Sequence, residues 1–265
     1  MVVHPPVPPS AILRCGTRAR ILRYAPGTRQ RPHAHGRASL ALVLRGSLEE
    51  RVGTLLERAA PLSAVLKPAG LEHANEFGAE GAVTLQIVLS REREAELRSA
   101  GHDVGSWRWI HAGEVIRPML GIASAIARDR TPEPGGAVLD DLLIEAMAAL
   151  EPAPPRRPGP DPPWLRRARE ALGEEAVPIR LLASDAGMHP VQLAREFRRS
   201  VGMPPTEYRR RARLGRAFQS LAVTGAPLAD AALGAGYADQ SHMTREFRRV
   251  TGLTPLRCRG LLARV

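Results

Sequence analysis

The sequence predicts an α+β protein of two domains, in which a β-rich N-terminal part precedes an all-helical C-terminal part. Three observations support this prediction. Short apolar runs separated by Gly and Pro fill residues 10–90, a pattern typical of strands. A proline-rich segment, residues 151–163, then interrupts the chain. After it, the pentapeptide REFRR occurs at 195–199 and again at 245–249, which indicates a duplicated helical unit.

The N-terminal part begins with strands and ends with two helices. The predicted strands are Ile21–Tyr24, Ser39–Leu44, Ala64–Leu66 and Val83–Leu89, and the predicted helices are 114–128 and 138–150. The second helix carries an apolar stripe at Val138, Leu139, Leu142, Leu143, Ala146, Met147 and Leu150. This stripe either packs on the β domain or mediates dimerisation, and the two interpretations are compatible.

The segment 151–163 predicts a linker. Seven of its thirteen residues are proline, which prevents a continuous helix and favours an extended spacer. We therefore predict an N-terminal domain over 1–150, a linker over 151–163 and a helical C-terminal domain over 164–265.

Helical signals fill the chain beyond the linker. The predicted helices are Trp164–Leu172, Pro178–Ala186, Pro190–Ser200, Pro205–Ala222, Leu228–Ala235 and Gln240–Val250, followed by a short turn after Pro255. Gly187 and Gly236 each stand between two helices, which gives two helix-turn-helix units. The 18-residue helix that joins the units would be roughly 27 Å long. With its flanking turns it can place two recognition helices about 34 Å apart, one turn of duplex DNA.

The charge distribution indicates which part faces a polyanion. The chain has a net charge of +11; residues 1–150 carry 18 basic and 16 acidic side chains, whereas residues 164–265 carry 18 basic and 9 acidic. An excess of +9 in the helical part favours nucleic acid as its partner. The two cysteines form no metal motif, and we find no signal peptide and no apolar run long enough to cross a membrane. We expect a cytoplasmic protein.

The two helical units resemble those of the AraC/XylS family of bacterial transcription regulators. The second unit carries the resemblance in GYADQSHMTREFRRVTGLTP, and the first in AGMHPVQLAREFRRSVGMPPTEY. The similarity covers roughly residues 164–260 and includes the spacing of the units and the joining helix. It implies a sequence-specific DNA-binding protein, with promoter or operator DNA and RNA polymerase as partners.

Two sets of residues are candidates for DNA contact. The resemblance places base readout on the outward faces of the recognition helices, at Val191, Gln192, Ala194, Arg195, Gln240, Ser241, Thr244 and Arg245. Arg pairs with guanine, Gln with adenine, and Val or Ala can contact a thymine methyl group. Phosphate contacts are predicted at Arg198, Arg199, Arg209, Arg210, Arg211, Arg248 and Arg249.

The N-terminal part resembles the cupin-like β-barrel sensor domains that precede such DNA-binding modules. The resemblance lies in the spacing of Gly27, His33, His35 and Gly46, and of Pro68, Gly70 and His73. It implies a small-molecule effector site, for which the candidate residues are His33, His35, Arg37, Glu72, His73 and Asn75. The sequence departs from the cupin pattern at Ser39, where an acidic metal ligand is expected.

Three interpretations of His33, His35 and His73 remain open at this point: an effector pocket with hydrogen-bonding histidines, a transition-metal site, and a structural remnant. We expect a regulator controlled by an effector, forming a homodimer and lacking enzymatic activity. The rival hypothesis is a cupin metalloenzyme with an appended DNA-binding module. The sequence does not distinguish activator from repressor.

Overall fold

The chain combines an antiparallel sheet with ten helices in a computed structural model that describes residues 10–13, 16–110, 113–128, 136–150, 161–174, 177–222 and 226–265. The strands are β1 Ser10–Ile12, β2 Arg18–Tyr24, β3 Arg29–His33, β4 Ser39–Val52, β5 Leu55–Ala59, β6 Ala64–Lys67, β7 His73–Val88 and β8 Arg108–Ile110. The N-terminal helices are α1 Arg91–Ser99, α2 Gly113–Arg128 and α3 Gly136–Ala148. The C-terminal helices are α4 Pro163–Glu174, α5 Ile179–Asp185, α6 Pro190–Val201, α7 Pro205–Leu221, α8 Leu228–Gly234, α9 Gln240–Thr251 and α10 Pro255–Leu262.

The two long strands, β4 and β7, form the centre of the sheet. They pair with each other, and the shorter strands lie along their outer edges in the order β1-β2-β7-β4-β6-β8, with β3 also on β7 and β5 also on β4. The register of β4 against β7 shifts between Val43 and Arg45 and again between Gly46 and Leu48, and such bulges bend a strand. In the described part of the chain no pair joins β1 to β8, and closure of the bent sheet into the predicted barrel stays a prediction.

The two faces of the sheet bury different side chains. Leu40, Leu42, Leu85 and Ile87 belong to a large apolar cluster that includes α2 and α3. The opposite face buries a smaller cluster of Val43, Leu48, Ala59, Phe77 and Ala82, with Tyr24 stacked on Phe77. This second face is where the polar residues of the candidate pocket also lie. Most of the apolar stripe of α3 is buried in the first cluster, where α3 packs on α2, so the stripe packs within the protein and its predicted role in dimerisation stays a prediction.

Several elements differ from the sequence prediction. Helix α1 carries mostly charged residues, so it showed no apolar period, yet Ser90 caps it and a buried ion pair between Arg93 and Asp140 at 3.0 Å ties it to α3. The turn predicted after Pro255 is the helix α10, capped by Thr254 and anchored by buried Cys258 and leucines. Strand β4 continues past Gly46, eight residues beyond its predicted end. The short strands β1, β3, β5 and β8 were missed because none of them carries three apolar residues within four positions, the density by which the other strands were predicted.

The sheet part and the helical part are in direct contact. The large apolar cluster that includes α2 also contains Phe218 of α7 and Phe247 of α9. Gln219 accepts a hydrogen bond from the Gly46 amide at 3.0 Å and donates one to Glu80 at 2.7 Å. Residues 151–160 of the predicted linker, and Cys15, lie outside the described residues, and the domain boundaries remain predictions. None of the described helices is both long enough and apolar enough to span a membrane.

We predict that Gly46→Ala destabilises the protein far more than Gly53→Ala. Both glycines have positive φ angles, +72° and +55°, so both substitutions bring backbone strain. A Cβ at Gly46 would lie 1.9 Å from the carbonyl oxygen of Gly81, whereas nothing lies within 4 Å at Gly53. Because backbone cannot move aside cheaply, Gly46→Ala should lower the free energy of unfolding by about 2 kcal/mol more than the control, measured by urea denaturation. Equal losses would contradict the close approach of the two strands at this bulge.

Candidate nucleic-acid interface and ligand pocket

The first helix-turn-helix unit consists of α5, a turn and α6. Gly187 adopts a positive φ of 64° in the turn, and the His189 side chain caps α6 by accepting the amide of Val191 at 3.3 Å. Leu193 and Phe197 are fully buried and hold α6 against α5 and α4. Gly187 stands in the turn between the two helices, as the sequence predicts.

The second unit repeats this construction with α8 and α9. Gly236 has a φ of 85° in the turn, and Asp239 caps α9 by accepting the amide of His242 at 2.6 Å. Met243 and Phe247 are the buried anchors. The ring of His242 packs edge-on against Tyr237 at 5.2 Å, which agrees with a structural role for this histidine at the corner.

The repeated glycine and proline that follow each REFRR sequence have a defined backbone role. Gly202 and Gly252 end α6 and α9 in the left-handed conformation, with φ values of 82° and 71°. A non-glycine residue is strained there because its Cβ approaches the backbone. Pro205 and Pro255 then stand in the first turn of α7 and α10, where a missing amide hydrogen costs nothing. The repeat therefore encodes the end of one helix and the start of the next.

The residues predicted to read bases lie on the outer faces of α6 and α9. Val191 is 70% exposed, an unusual position for a large apolar side chain. Gln192, Arg195, Gln240, Ser241 and Arg245 are also exposed, whereas Ala194 and Thr244 are half-buried. The structure thus presents most of this set to solvent on two helices, as a groove-reading surface requires.

The residues predicted to contact phosphate divide into two groups. Arg198, Arg199, Arg248 and Arg249 are exposed on the recognition helices, although Arg199 and Arg249 also pair with Glu196 and Glu246. The three arginines of α7, Arg209, Arg210 and Arg211, are half-buried and have partners within the protein. Arg210 bridges Glu207 at 3.0 Å and Glu246 of α9 at 3.2 Å, and Arg211 pairs with Glu207 at 2.8 Å. Phosphate contact by this second group stays a prediction.

Sequence reasoning missed the role of Glu246. It is the glutamate of the second REFRR copy, and it joins the recognition helix α9 to the joining helix α7 through Arg210. The signal was present in the repeat, because a glutamate among three arginines is unfavourable for a phosphate-binding surface unless it has another partner. It should therefore have been read as a scaffold residue.

Three histidines converge on the polar side of the sheet. His33 in β3 is the register partner of His73 in β7, and His35 follows two residues after His33. The ring centroids lie 4.4 Å apart for His33 and His73, 4.9 Å for His33 and His35, and 5.3 Å for His35 and His73. One nitrogen of each ring can be chosen so that all three lie within 4.8 Å of one another.

Backbone carbonyls orient two of these rings. The Nδ1 atom of His33 lies 2.8 Å from the carbonyl oxygen of Arg31, and that of His73 lies 3.1 Å from the carbonyl oxygen of Leu71. A neutral ring that donates through Nδ1 carries an unprotonated Nε2. Among the described residues the buried Nε2 of His73 has no hydrogen-bond partner. This arrangement leaves a nitrogen lone pair available for a ligand or a metal ion.

The environment keeps two of the histidines neutral. Burial, and then the charge of Lys67, lower the pKa of His73 to about 4. Burial, and then the neighbouring His33 and Lys67, also lower the pKa of His35. Neutral imidazoles are the form that coordinates metal ions and accepts hydrogen bonds.

The other residues predicted for this pocket differ in position. Asn75 is buried on the same side of β7 as His73 and donates to Gln30 at 2.8 Å. Glu72 is exposed. Arg37 is half-buried, and its charge lies near Glu92 at the start of α1. The structure therefore groups Asn75 with the histidines but gives no such support to Glu72 or Arg37.

Two residues beside the histidines, Glu50 and Lys67, were not predicted. Glu50 of β4 is fully buried and is the register partner of Asn75. It accepts a hydrogen bond from Trp107 Nε1 at 2.8 Å and pairs with Lys67 at 2.5 Å. Ser39, where the cupin pattern has a carboxylate, is buried opposite Lys67. The sequence signal that could have found this ion pair is Lys67, because it is the only lysine among 38 basic residues.

Comparison with known proteins identifies the helical part. A family of helix-turn-helix domains matches residues 182–260. The arabinose operon regulatory protein of Escherichia coli is 27% identical over 125 residues, which are 44% of this chain and 41% of that protein. A putative AraC-like transcription regulator of Streptomyces antibioticus is 38% identical over 74 residues, 28% of this chain and 24% of that protein. The helix-turn-helix part of this chain is thus similar in sequence to AraC-type transcription regulators.

The comparisons reach only part of the chain and of its relatives. The chain aligns with about two fifths or less of the length of these regulators. An AraC-type regulator structure from Chromobacterium violaceum is 28% identical and covers 38% of this chain and 93% of that one, with a TM-score of 0.36. The AraC-type domain is thus identified by its sequence, while the sheet part must be interpreted from its own residues.

We predict that metal-free protein loses stability between about pH 6.5 and pH 4 in part because of His73. Its pKa is about 4 in the folded protein, against about 6.5 in an unfolded chain. In that interval the unfolded chain binds a proton that the folded protein does not, so the free energy of unfolding falls as the pH is lowered. Urea denaturation across this range should give a shallower slope for His73→Asn than for the natural protein. Identical slopes, or a His73 ring that titrates near pH 6.5 by NMR, would refute this.

Proposed function

We propose that this protein is a sequence-specific DNA-binding transcription regulator whose activity is controlled by a small-molecule effector in the histidine pocket. The observation that carries the first part is the pair of AraC-type units with exposed recognition helices. Arg195 and Arg245 occupy the same place in the two copies and are exposed, so each can enter a major groove. The proposal includes a homodimer and contact with RNA polymerase.

The pocket supports the second part of the proposal. Neutral histidines, a buried asparagine and the Lys67–Glu50 pair line one side of a sheet that otherwise buries apolar side chains. A few polar groups in an apolar surround are typical of small-molecule sites. We assign effector contacts to His33, His35, His73 and Asn75.

The rival hypothesis of a metalloenzyme with a DNA-binding module is less well supported. Ser39 offers no carboxylate, and Glu50, the nearby buried carboxylate, is already held by Lys67 and Trp107. An enzyme of that class would need another acidic ligand or a three-histidine centre. Catalytic turnover that tracks bound metal would favour this hypothesis over ours.

Selection of DNA from a random-sequence library by the full-length protein tests the function. We expect enrichment of a motif with two conserved blocks about 10 base pairs apart, because two recognition helices joined by α7 fit successive major grooves on one side of the duplex. A library that shows no enriched sequence after several rounds, while the protein still binds bulk DNA, would leave only non-specific binding.

On the selected site, two arginine variants should behave differently. Arg195→Ala should weaken binding by about 1–3 kcal/mol and relax the preference at particular base pairs. Arg198→Ala should weaken all sequences similarly and reduce the salt dependence by about one ion. Arg91→Ala, which removes an exposed arginine from α1 in the sheet part, is the matched charge control and should have little effect. Fluorescence anisotropy at several salt concentrations measures all three, and identical behaviour of Arg195→Ala and Arg198→Ala would refute the division of roles.

The three histidines also form a donor set that fits a transition-metal ion. Zinc titration of metal-free protein, followed by calorimetry, should show one site that His35→Ala weakens at least tenfold. His102→Ala, a histidine outside the cluster, is the control. Absence of zinc binding in the natural protein would leave the histidines as hydrogen-bonding groups for the effector.

A further inference from the structure

The two helix-turn-helix units are attached to the sheet part by different forces. The second unit shares one apolar cluster with the sheet and α2, through Phe247 and Leu261 among others. The first unit has a separate cluster of its own, built around Leu165, Leu172 and Phe197. It faces the sheet across an open cleft of about 960 Å³, and ion pairs from α4 cross that cleft. The first unit is thus held largely by charge.

A pair of buried carboxylates lies beneath one of these ion pairs. Glu50 in β4 and Glu57 in the edge strand β5 stand directly opposite in the antiparallel register. They are 0% and 2% exposed. Side chains in such positions have Cβ atoms about 4.5–5.5 Å apart, and two like charges there are unfavourable unless each has a cation.

The two carboxylates form ion pairs with different cations, which come from different elements of the fold. Lys67 lies 2.5 Å from Glu50 on the side of the histidine pocket. Arg169 of α4 pairs with Glu57 and, at 3.0 Å, with Asp161. Arg169 also interacts with Tyr208, whose ring packs edge-on against Phe197 of the recognition helix. Two ion pairs, linked by the register position of Glu50 opposite Glu57, therefore lie between the histidines and the core of the first unit.

At the histidine end of this set the cation is Lys67, whose partner Glu50 stands opposite Asn75 in the register of β4 and β7. Burial is the largest cause of the lowered pKa of His73, but Lys67 comes next and outweighs the opposite effect of Glu50. The charge of Lys67 also contributes to the lowered pKa of His35. Where positive potential surrounds neutral imidazoles, an anionic ligand is favoured over a cationic one.

We propose that the histidine pocket takes a small anion of the carboxylate class that pairs with Lys67, and that its charge acts on the first helix-turn-helix unit through Glu50, Glu57 and Arg169. This rests on the proposed effector function of the same pocket. When the anion pairs with Lys67, Glu50 stays charged but shares Lys67 with the anion. Arg169, the cation on the other side of the carboxylate pair, is then attracted more strongly, and α4 docks more tightly on β5. Docking of α4 strengthens anion binding by the same factor.

This coupling would change the relative positions of the two recognition helices, α6 and α9. The second unit is fixed to the sheet part by apolar packing, so only the first unit can respond. Tighter docking of α4 restricts the positions of α6 relative to α9. An anion would therefore select the half-site spacings that the protein can bind.

Two matched variants test the docking contact in the full-length protein. Glu57→Gln removes the buried partner of Arg169, whereas Glu170→Gln removes the partner of Arg58 in an exposed pair at the same cleft, with side chains 49% and 60% exposed. Amide hydrogen exchange in residues 163–174 should accelerate at least tenfold in Glu57→Gln and less than twofold in Glu170→Gln, because exposed pairs contribute little. Equal effects would overturn the assigned role of Glu57.

Acetate, titrated into metal-free protein with chloride holding the ionic strength constant, tests the transmission. In the natural protein we expect shifts of the His35 and His73 ring signals by NMR and at least threefold slower exchange in residues 163–174. Glu57→Gln should keep the ring shifts and lose the slowing. The double variant Lys67→Met/Glu50→Gln, which leaves neither charge buried alone, should lose both responses.

Each result decides one part of the proposal. Absence of ring shifts in the natural protein would overturn the anionic class of ligand, and slowing that persists in Glu57→Gln would overturn the route through Arg169. Neither measurement contains DNA. A failure here therefore leaves sequence-specific DNA binding intact, and a failed DNA selection leaves this coupling standing.

Discussion

The packing of α2 is the constraint on which the arrangement of the whole molecule depends. The large apolar side chains of this helix are covered by other parts of the protein. Those that are buried include Ile116, Met119, Leu120, Ile122 and Ile126. It packs against α3, the sheet and the C-terminal helices α9 and α10. Arg117 adds a hydrogen bond at 2.8 Å to the carbonyl oxygen of Arg249, at the end of the second recognition helix. One helix thus fixes the second helix-turn-helix unit to the sheet part.

This constraint gives the two units unequal freedom. Separating α9 from α2 would expose apolar surface at about 25 cal/mol per Å², so that contact persists unless a large area is lost. The contacts of α4 with the sheet are ionic, and their strength depends on nearby charge and on local exposure. The regulation we propose requires one fixed and one adjustable attachment of the two helix-turn-helix units, and it is supported by this distribution of apolar and ionic contacts.

The helical part could be predicted well from sequence because its signals are local. Gly187 and Gly236 mark the turns, Asp239 caps α9, and leucine, methionine and phenylalanine at intervals of four mark the buried faces. The three histidines were found because their spacing on strands brings them together. The carboxylate pair was missed, since the register that sets Glu50 opposite Glu57 depends on a hairpin that no local pattern specified. Likewise, nothing near Arg169 in sequence indicates that it contacts β5.

The structure also narrows what the repeated REFRR sequence means. Its phenylalanine is a core anchor in both copies, and its glutamate pairs with arginines of the protein itself. The glycine and proline that follow define helix boundaries. Only the first and fourth positions, Arg195 with Arg198 and Arg245 with Arg248, remain as shared exposed arginines without an intramolecular carboxylate among the described ion pairs. Identical residues cannot make two helices read different bases, so the proposed base readout requires that discrimination come from the positions where α6 and α9 differ.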